Sequence, residues 1–475
     1  MKTLITVVVF ALLTFAADAE RPPNFVVIFT DDQGYEDLGC FGSPDIKTPH
    51  IDRMAEEGMR LTDFYSASPI CSPSRAALMT GSYPPRCGMA GFPRPVNPEK
   101  PDAEREATRH VLFPDYDTGI HPDEVTLAEL LKGQGYATGC VGKWHLGDRK
   151  PYLPLQNGFD YYYGIPYSND MVPTPLMRNN EVIEEPADQD SLTERYTREA
   201  VRFIEDHKEE PFFLYVPHSM PHIPLHVSDR FWGQSERGLY GDVIEMIDWS
   251  TGEILDAIRE AGLAENTLVI YTSDNGPWLS HKENGGEAHP LRAGKGSCYE
   301  GGMRVPTVAW WPGTIPAGKD SDALMGTIDL LPTFANLAGA EAPSDRVIDG
   351  GDIMPLLRGE KGAKSPHEAY YYFKRWGLEA VRSGDWKLMF ERKKWEEFPY
   401  RRKYYDDPMA DVGPALYNLR EDIGETTNVI ADHPEVAARL RGYAEDMVAD
   451  LGCERLGVEG PGRRPLGGFG VPENP

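Results

Sequence analysis

The sequence predicts an α/β fold with a smaller second domain, and three observations carry that expectation. Short apolar runs end in polar clusters, helical patterns lie between the runs, and the pattern changes character near Gly359. Phe25-Val26-Val27-Ile28-Phe29 runs into Asp31-Asp32-Gln33-Gly34, and residues 137–141 run into Gly142-Lys143-Trp144-His145. Residues 212–216 run into Pro217-His218, with His222 close behind, and residues 268–272 run into Asp274-Asn275-Gly276. Apolar runs of this length fit strands buried on both faces of a parallel sheet. Between them, residues 125–132, 191–206 and 241–261 carry helical spacing, so strand and helix alternate. Parallel strands place their polar C-terminal ends along one edge, where open α/β sheets bind ligands.

A length of 475 residues allows two or three domains. The 40% hydrophobic and 11% aromatic content supplies a packed core and argues against intrinsic disorder. With 48 Lys+Arg against 75 Asp+Glu, the net charge is −27, the wrong sign for a general nucleic-acid binder. Six cysteines are too sparse for a disulfide-held scaffold. Cys140, inside a predicted strand, is a candidate buried thiol.

Residues 1–19 read as a signal peptide. Lys2 gives a positive start, residues 4–17 an apolar run, and Ala17-Asp18-Ala19 a small-x-small cleavage pattern. The run is short for a membrane span, and a buried N-terminal helix is the alternative reading. No cysteine follows it to carry a lipid, and no later segment is long and apolar enough to cross a bilayer. The expectation is an exported protein without a membrane anchor, periplasmic or secreted, or lysosome-like in a eukaryote. The first domain is expected over residues 20–358. Beyond it, residues 370–373, 378–382, 386–390 and 416–419 look like short antiparallel strands, and residues 434–451 like an amphipathic helix, giving a C-terminal subdomain over 359–475. Residues 392–403, rich in Lys and Arg, read as an exposed loop, and the Gly/Pro-rich tail after Gly457 as extended chain.

One segment carries distinctive chemistry: Cys71-Ser72-Pro73-Ser74-Arg75-Ala76-Ala77-Leu78-Met79-Thr80-Gly81. Ser72 suits an N-cap, Pro73 the first helical position and Gly81 the helix end, which puts Cys71 just ahead of a helix N-terminus. Free N–H groups there favour an anion, and Arg75 lies about one turn on. Local physics allows two readings: a thiolate whose pKa is lowered by the helix and Arg75, or a structural cysteine. A Cys-x5-Arg phosphatase loop would need Arg where this chain has Ala77.

Asp31, Asp32, Asp274 and Asn275 are hard oxygen ligands, which suit Ca²⁺ or Mg²⁺ rather than Zn²⁺. The same tetrapeptides also make good turns. His218, His222 and His226 recur every four residues, but Pro217, Pro221 and Pro224 forbid a regular helix, so they lie in a loop and not on a zinc-binding face.

Cys-Ser-Pro-Ser-Arg followed by Leu-Met-Thr-Gly resembles the signature of type I sulfatases, within the alkaline-phosphatase-like superfamily. Asp31-Asp32-Gln33-Gly34 and Asp274-Asn275-Gly276 resemble its metal segments. Gly142-Lys143-Trp144-His145-Leu146-Gly147, Gly294-Lys295-Gly296 and Tyr299-Glu300-Gly301-Gly302 resemble further hallmarks, and Gly164-Ile165-Pro166-Tyr167-Ser168 and Leu416-Tyr417-Asn418-Leu419 also fit. The likeness spans most of the chain. It implies a large mixed sheet flanked by helices, with residues 20–358 as the catalytic sulfatase domain.

The resemblance further implies that a maturating enzyme converts Cys71 to Cα-formylglycine and that a cation, calcium with magnesium as the alternative, sits on Asp31, Asp32, residue 71, Asp274 and Asn275. One hydroxyl of the aldehyde hydrate, oriented by Arg75, attacks sulfur, with Asp274 a candidate base. His222 and Lys295 face the leaving oxygen, with His218 second to His222. His145 takes the proton from the second hydroxyl, and sulfate is expelled. Lys143 binds sulfate, and Ser168 resembles a position that contacts a basic residue. The expected substrate is a sulfated carbohydrate, and Arg94, Arg109, His110 and His281 could reach the sugar from the rim, within residues 83–123 for the first three. Two alternatives stand beside this one: a phosphomonoester or phosphonate-ester hydrolase of the same superfamily, and a non-catalytic sulfated-glycan-binding protein if Cys71 stays unmodified.

Overall fold

The computed structural model describes residues 21–92, 109–114, 116–391 and 413–468. The predicted leader, Arg94 and the 392–403 loop lie outside the described residues.

The first eight strands in chain order are β1 (Asn24–Thr30), β2 (Met59–Leu61), β3 (Phe64–Tyr65), β4 (Ala137–Val141), β5 (Tyr161–Gly164), β6 (Leu176–Arg178), β7 (Glu181–Glu184) and β8 (Phe212–Pro217). The next eight are β9 (Thr267–Ser273), β10 (Thr307–Trp310), β11 (Lys319–Ser321), β12 (Met325–Gly326), β13 (Tyr370–Lys374), β14 (Gly377–Ser383), β15 (Trp386–Met389) and β16 (Ala415–Asn418). The helices are α1 (Pro49–Glu57), α2 (Cys71–Thr80), α3 (Leu127–Gly133), α4 (Leu192–Asp206), α5 (Leu239–Glu260), α6 (Glu300–Met303), α7 (Leu330–Leu337), α8 (Met354–Leu357) and α9 (Pro434–Leu451).

Among the described residues a ten-stranded sheet runs in the order β11-β2-β10-β9-β1-β8-β4-β5-β6-β7. Its centre, β9-β1-β8-β4-β5, is parallel, as the apolar runs predict. The flanks depart from that pattern: β10 pairs antiparallel with β9 and β2, and β6 and β7 close the far edge antiparallel. The sheet is therefore mixed. Along β1, Phe25, Val27 and Phe29 pack into one core with α2, α3 and α7, while Val26 and Ile28 pack into another with α1, α4 and α5. Burial on both faces is why the run shows no polar alternation, and each such side chain contributes about 1.5–3 kcal/mol. Helix α3 opens on a capping box: Thr126 Oγ1 accepts from Glu129 N at 3.1 Å and Glu129 Oε2 from Thr126 N at 2.7 Å.

Strands β13 to β16 form a separate antiparallel sheet, with α9 packed on it. Its core is continuous with the larger part, since Leu378, Val381, Leu388 and Leu440 share a cluster with Tyr65, Ala77, Tyr299 and Met303. A buried charge network crosses the same boundary: Lys387 Nζ lies 2.8 Å from both Glu300 Oε1 and Glu425 Oε1. The tail after Gly457 straps back across the molecule, Gly467 bridging Gly119 and Arg464 Nε reaching Glu124 Oε1 at 2.6 Å. Among the described residues no helix is long and apolar enough to cross a membrane.

Candidate active site

The edge at the C-terminal ends of β1, β4, β8 and β9 is held together by cross-strand backbone bonds. Asp274 N donates to Thr30 O at 3.0 Å, Asp31 N to Met220 O at 3.1 Å, and Lys143 N to Pro217 O at 2.6 Å. Gly142 makes the last approach feasible. Its φ is +139°, and a Cβ there would lie 1.9 Å from Pro217 O. The following residues, Lys143 and His145, are thereby delivered to the site.

Helix α2 is buried throughout. It begins at Cys71, two residues before the expected start at Pro73. Ser74 N bonds to Ile70 O at 3.1 Å, and Ser72 does not cap the helix, because its Oγ accepts instead from Leu112 N at 3.2 Å. Arg75 follows one turn later. Its Nε and Nη2 donate to Asp274 Oδ2 at 3.1 and 2.8 Å and its Nη1 to Lys143 O at 3.0 Å. The guanidinium is thus committed to Asp274. Cys71 Sγ lies 3.4 Å from Asp31 Oδ1. Burial, then the charge of Asp31, pushes the thiol well above its ordinary range. Of the two local readings of this cysteine, full desolvation and a carboxylate neighbour go against the thiolate.

Three carboxylates face three cations. Lys143 Nζ donates to Asp31 Oδ2 and, at 3.1 Å, to Ser168 Oγ. Lys295 Nζ donates to Asp32 Oδ2 at 2.7 Å, and Asn275 Nδ2 to Asp32 Oδ1 at 2.7 Å. Asp274 Oδ1 accepts from Asp32 N at 3.2 Å. Burial works upward on Asp31, yet the neighbouring positive charges, Lys143 first, hold it well below the carboxylate range. Burial raises Asp32 against the pull of Lys295, and burial with the charge of Asp31 raises Asp274 to about 7. Asn275 Oδ1 is buried with no hydrogen-bond partner among the described residues. One ligand atom from each of Asp31, Asp32, Cys71 and His222 lies within 4.8 Å of the others. Clustered carboxylates with an unpartnered amide oxygen suit a hard divalent cation. His222 joins this group, whereas both Asp274 oxygens are engaged by Arg75 and Asp32 N.

The two histidines differ in which nitrogen is bare. His145 Nε2 lies 2.9 Å from Leu112 O, so that nitrogen carries the proton, and the buried Nδ1 has no partner among the described residues. Burial, followed by the charge of Lys143, holds His145 well below the ordinary imidazole range. His222 Nδ1 lies 2.6 Å from Ile223 O and 3.1 Å from Asn169 Oδ1, which puts the proton on Nδ1 and leaves Nε2, 3.6 Å from Asp32 Oδ2.

A cavity of about 190 Å³ opens over this cluster. Cys71, His145, Ser168, His222 and Lys295 line it, together with His110, Phe113, Asp170, Met171 and Trp278. The structure thus gathers Asp31, Asp32, Cys71, Arg75, Lys143, His145, Ser168, His222, Asp274, Asn275 and Lys295 in one place. His218 is buried but is not among the cavity residues. Of the rim candidates, His110 lines the cavity, His281 packs edge-on against Trp278 at 4.7 Å, and Arg109 lies over the Phe113 ring at 5.2 Å. Asn169 and Trp278 escaped sequence reasoning. Each is a single loop residue next to a recognised segment, and only the fold reveals its neighbours.

Comparison with known proteins places this arrangement. The family profile described as Sulfatase matches residues 23–340, and the one described as N-sulphoglucosamine sulphohydrolase, C-terminal, matches residues 294–447. The chain is 42% identical over 405 residues to N-acetylgalactosamine-6-sulfatase of Canis lupus familiaris, covering 81% of this chain and 75% of that protein. It is 38% identical over 479 residues to arylsulfatase A of Homo sapiens, covering 90% and 89%. The crystal structure of Ps i-CgsB in complex with k-i-k-neocarrahexaose superposes with a TM-score of 0.75 at 30% identity, covering 90% of this chain and 93% of that one. Fold and site together define a hydrolytic enzyme with the alkaline-phosphatase-like architecture. The chain belongs to the sulfatase family; it is a type I sulfatase, a sulfuric ester hydrolase.

Proposed function

We propose that the protein removes sulfate from a sulfated carbohydrate outside the cytoplasm, using residue 71 as Cα-formylglycine. The observation that carries this reading is the state of Cys71. It lines the cavity at the first position of α2, beside Asp31, where burial and that charge push its thiol well above the ordinary range. An unmodified thiol held neutral is a poor nucleophile. A hydrated aldehyde at that position carries two hydroxyls and needs no thiolate. The sugar-sulfate names of the relatives, and the oligosaccharide held by a structural neighbour, support a carbohydrate substrate. Residues 1–19 are taken as the export signal, 20–358 as the catalytic domain and 359–475 as the C-terminal subdomain.

Asp31, Asp32, Asp274 and Asn275 would hold a hard divalent cation, calcium by the family likeness with magnesium as the alternative, with residue 71 beside it; when bound it would neutralise charge on the sulfuryl oxygens. Lys143 adds positive charge at the same oxygens. Arg75, tied to Asp274 and to the Lys143 carbonyl, fixes the first turn of α2 on the acidic cluster and so orients the attacking hydroxyl of residue 71. That hydroxyl oxygen bonds to sulfur as its proton passes to the Asp274 carboxylate, the ester S–O bond breaks, and the leaving alcohol oxygen takes a proton from the Lys295 ammonium, with His222 beside it. His145 Nδ1 then accepts the proton of the second hydroxyl. The carbonyl re-forms as the bond from residue 71 to the sulfate oxygen breaks, and sulfate leaves.

The test is the intact mass of the peptide containing residue 71, taken from protein co-expressed with a formylglycine-generating enzyme, together with the Cys71→Ala variant. The reading expects the mass of the aldehyde or its hydrate, with turnover of sulfated saccharides absent in the variant. Full turnover by protein carrying only the unmodified thiol defeats it, as does a strong preference for phosphate over sulfate esters.

A further inference from the structure

Trp278 has no place in the chemistry described so far, yet it lies against the residue facing the leaving oxygen. Lys295 Nζ sits 4.3 Å from the centroid of the indole ring. The contact is built by the backbone. Lys295 N donates to Pro277 O at 2.8 Å, and Gly294 permits that approach, since a Cβ there would lie 2.4 Å from the same oxygen. The indole is wedged between two imidazoles, His281 edge-on at 4.7 Å and His222 tilted at 5.6 Å. His281 N donates to Trp278 O at 3.0 Å, closing the turn that carries the ring. An aromatic face attracts an ammonium through its quadrupole, and that attraction strengthens away from water.

We propose that Trp278 is a positioning residue for Lys295, holding the ammonium toward the cavity where the leaving oxygen departs. The proposal rests on the role assigned to Lys295 above. Asp32 alone would draw the ammonium toward the acidic cluster. The indole supplies a second, uncharged attraction from the cavity side. Between the carboxylate and the indole face the ammonium is held at one point, and its charge is already in place when negative charge develops on the departing oxygen.

The experiment compares kcat/KM for a series of aryl sulfates spanning leaving groups from acidic to weakly acidic phenols, plus a sulfated sugar. The proteins are the mature wild type and the variants Trp278→Leu, Trp278→Phe, Lys295→Met, and the double variant of Lys295→Met with Trp278→Leu. Trp278→Leu is expected to lower kcat/KM about five- to twentyfold for poor leaving groups and little for good ones. Trp278→Phe, which keeps an aromatic face, should recover most of that loss. In the Lys295→Met background, Trp278→Leu should add nothing further. If Lys295→Met itself leaves the leaving-group dependence unchanged, the role of Lys295 is wrong. If Lys295→Met steepens it but Trp278→Leu acts equally on all leaving groups, or equally in both backgrounds, Lys295 keeps its role and Trp278 is a substrate contact or a structural residue, which overturns the inference.

Discussion

His145 shows how burial sets a protonation state for a task. Its Nε2 proton is committed to Leu112 O, its Nδ1 is bare, and desolvation with the charge of Lys143 keeps the ring neutral. A neutral ring is the form that accepts a proton. Because the pKa is depressed, acidification must go below the ordinary imidazole range, about 6.5, before the base is lost. The acid limb of kcat should therefore lie below that pH. His145→Ala should remove the limb and lower kcat by about 10²- to 10⁴-fold. It should also let the sulfated form of residue 71 accumulate, because bond formation to sulfur does not use this histidine. Mass analysis of the quenched enzyme during turnover reads the accumulation. A quenched variant free of sulfate adduct, with kcat equally depressed, would remove His145 from the release step.

At the scale of elements, the site depends on four strand ends arriving at one edge, and those strands were legible because each is buried on both faces. Phe25 to Phe29, residues 137–141, 212–216 and 268–272 all became parallel neighbours. The flanks of the sheet were not legible. Strands β2, β6 and β11 are three residues long, and β11 is Lys-Asp-Ser, which carries no hydrophobic pattern to read. The start of α2 was misplaced because Ser72 and Pro73 carry genuine local N-terminal signals, and a partner 40 residues away takes the Ser72 hydroxyl. Local propensity lost to a tertiary hydrogen bond. Trp278 and Asn169 lie beyond any sequence argument, since a lone loop residue has meaning only through its neighbours. Gly142 offers the sharpest test of the edge. Gly142→Ala places a methyl against Pro217 O in a left-handed backbone, so β4 and β8 must separate where Lys143 and His145 begin. We expect a loss of about 2–5 kcal/mol in unfolding free energy from strain and overpacking. Activity should fall further than stability explains. Denaturant titration and kcat measured well below the unfolding midpoint separate the two, and a variant of unchanged stability and rate would show that the close approach is not needed.

For the molecule as a whole, charge sets a problem that the site must solve. The net charge is −27 and the substrate is an anion. The cations of the site do little at long range: Lys143 and Arg75 are fully buried and paired with Asp31 and Asp274, and Lys295 with Asp32. Exposed Asp170 at the cavity adds negative charge where the substrate enters. An approaching sulfated saccharide therefore meets the repulsive field of the whole protein before the attractive cluster within. Salt shortens the reach of that field, from about 30 Å at 0.01 M to about 8 Å at 0.15 M, while buried pairs are screened much less. Added sodium chloride should accordingly raise kcat/KM over this range, more steeply for an oligosaccharide bearing several sulfates than for a singly charged aryl sulfate, and leave kcat unchanged. This is the opposite of an enzyme that steers its anionic substrate with a cationic surface. A kcat/KM that falls with salt would mean that a local positive surface outside the cavity dominates the encounter, and net charge would then say nothing about how the substrate arrives.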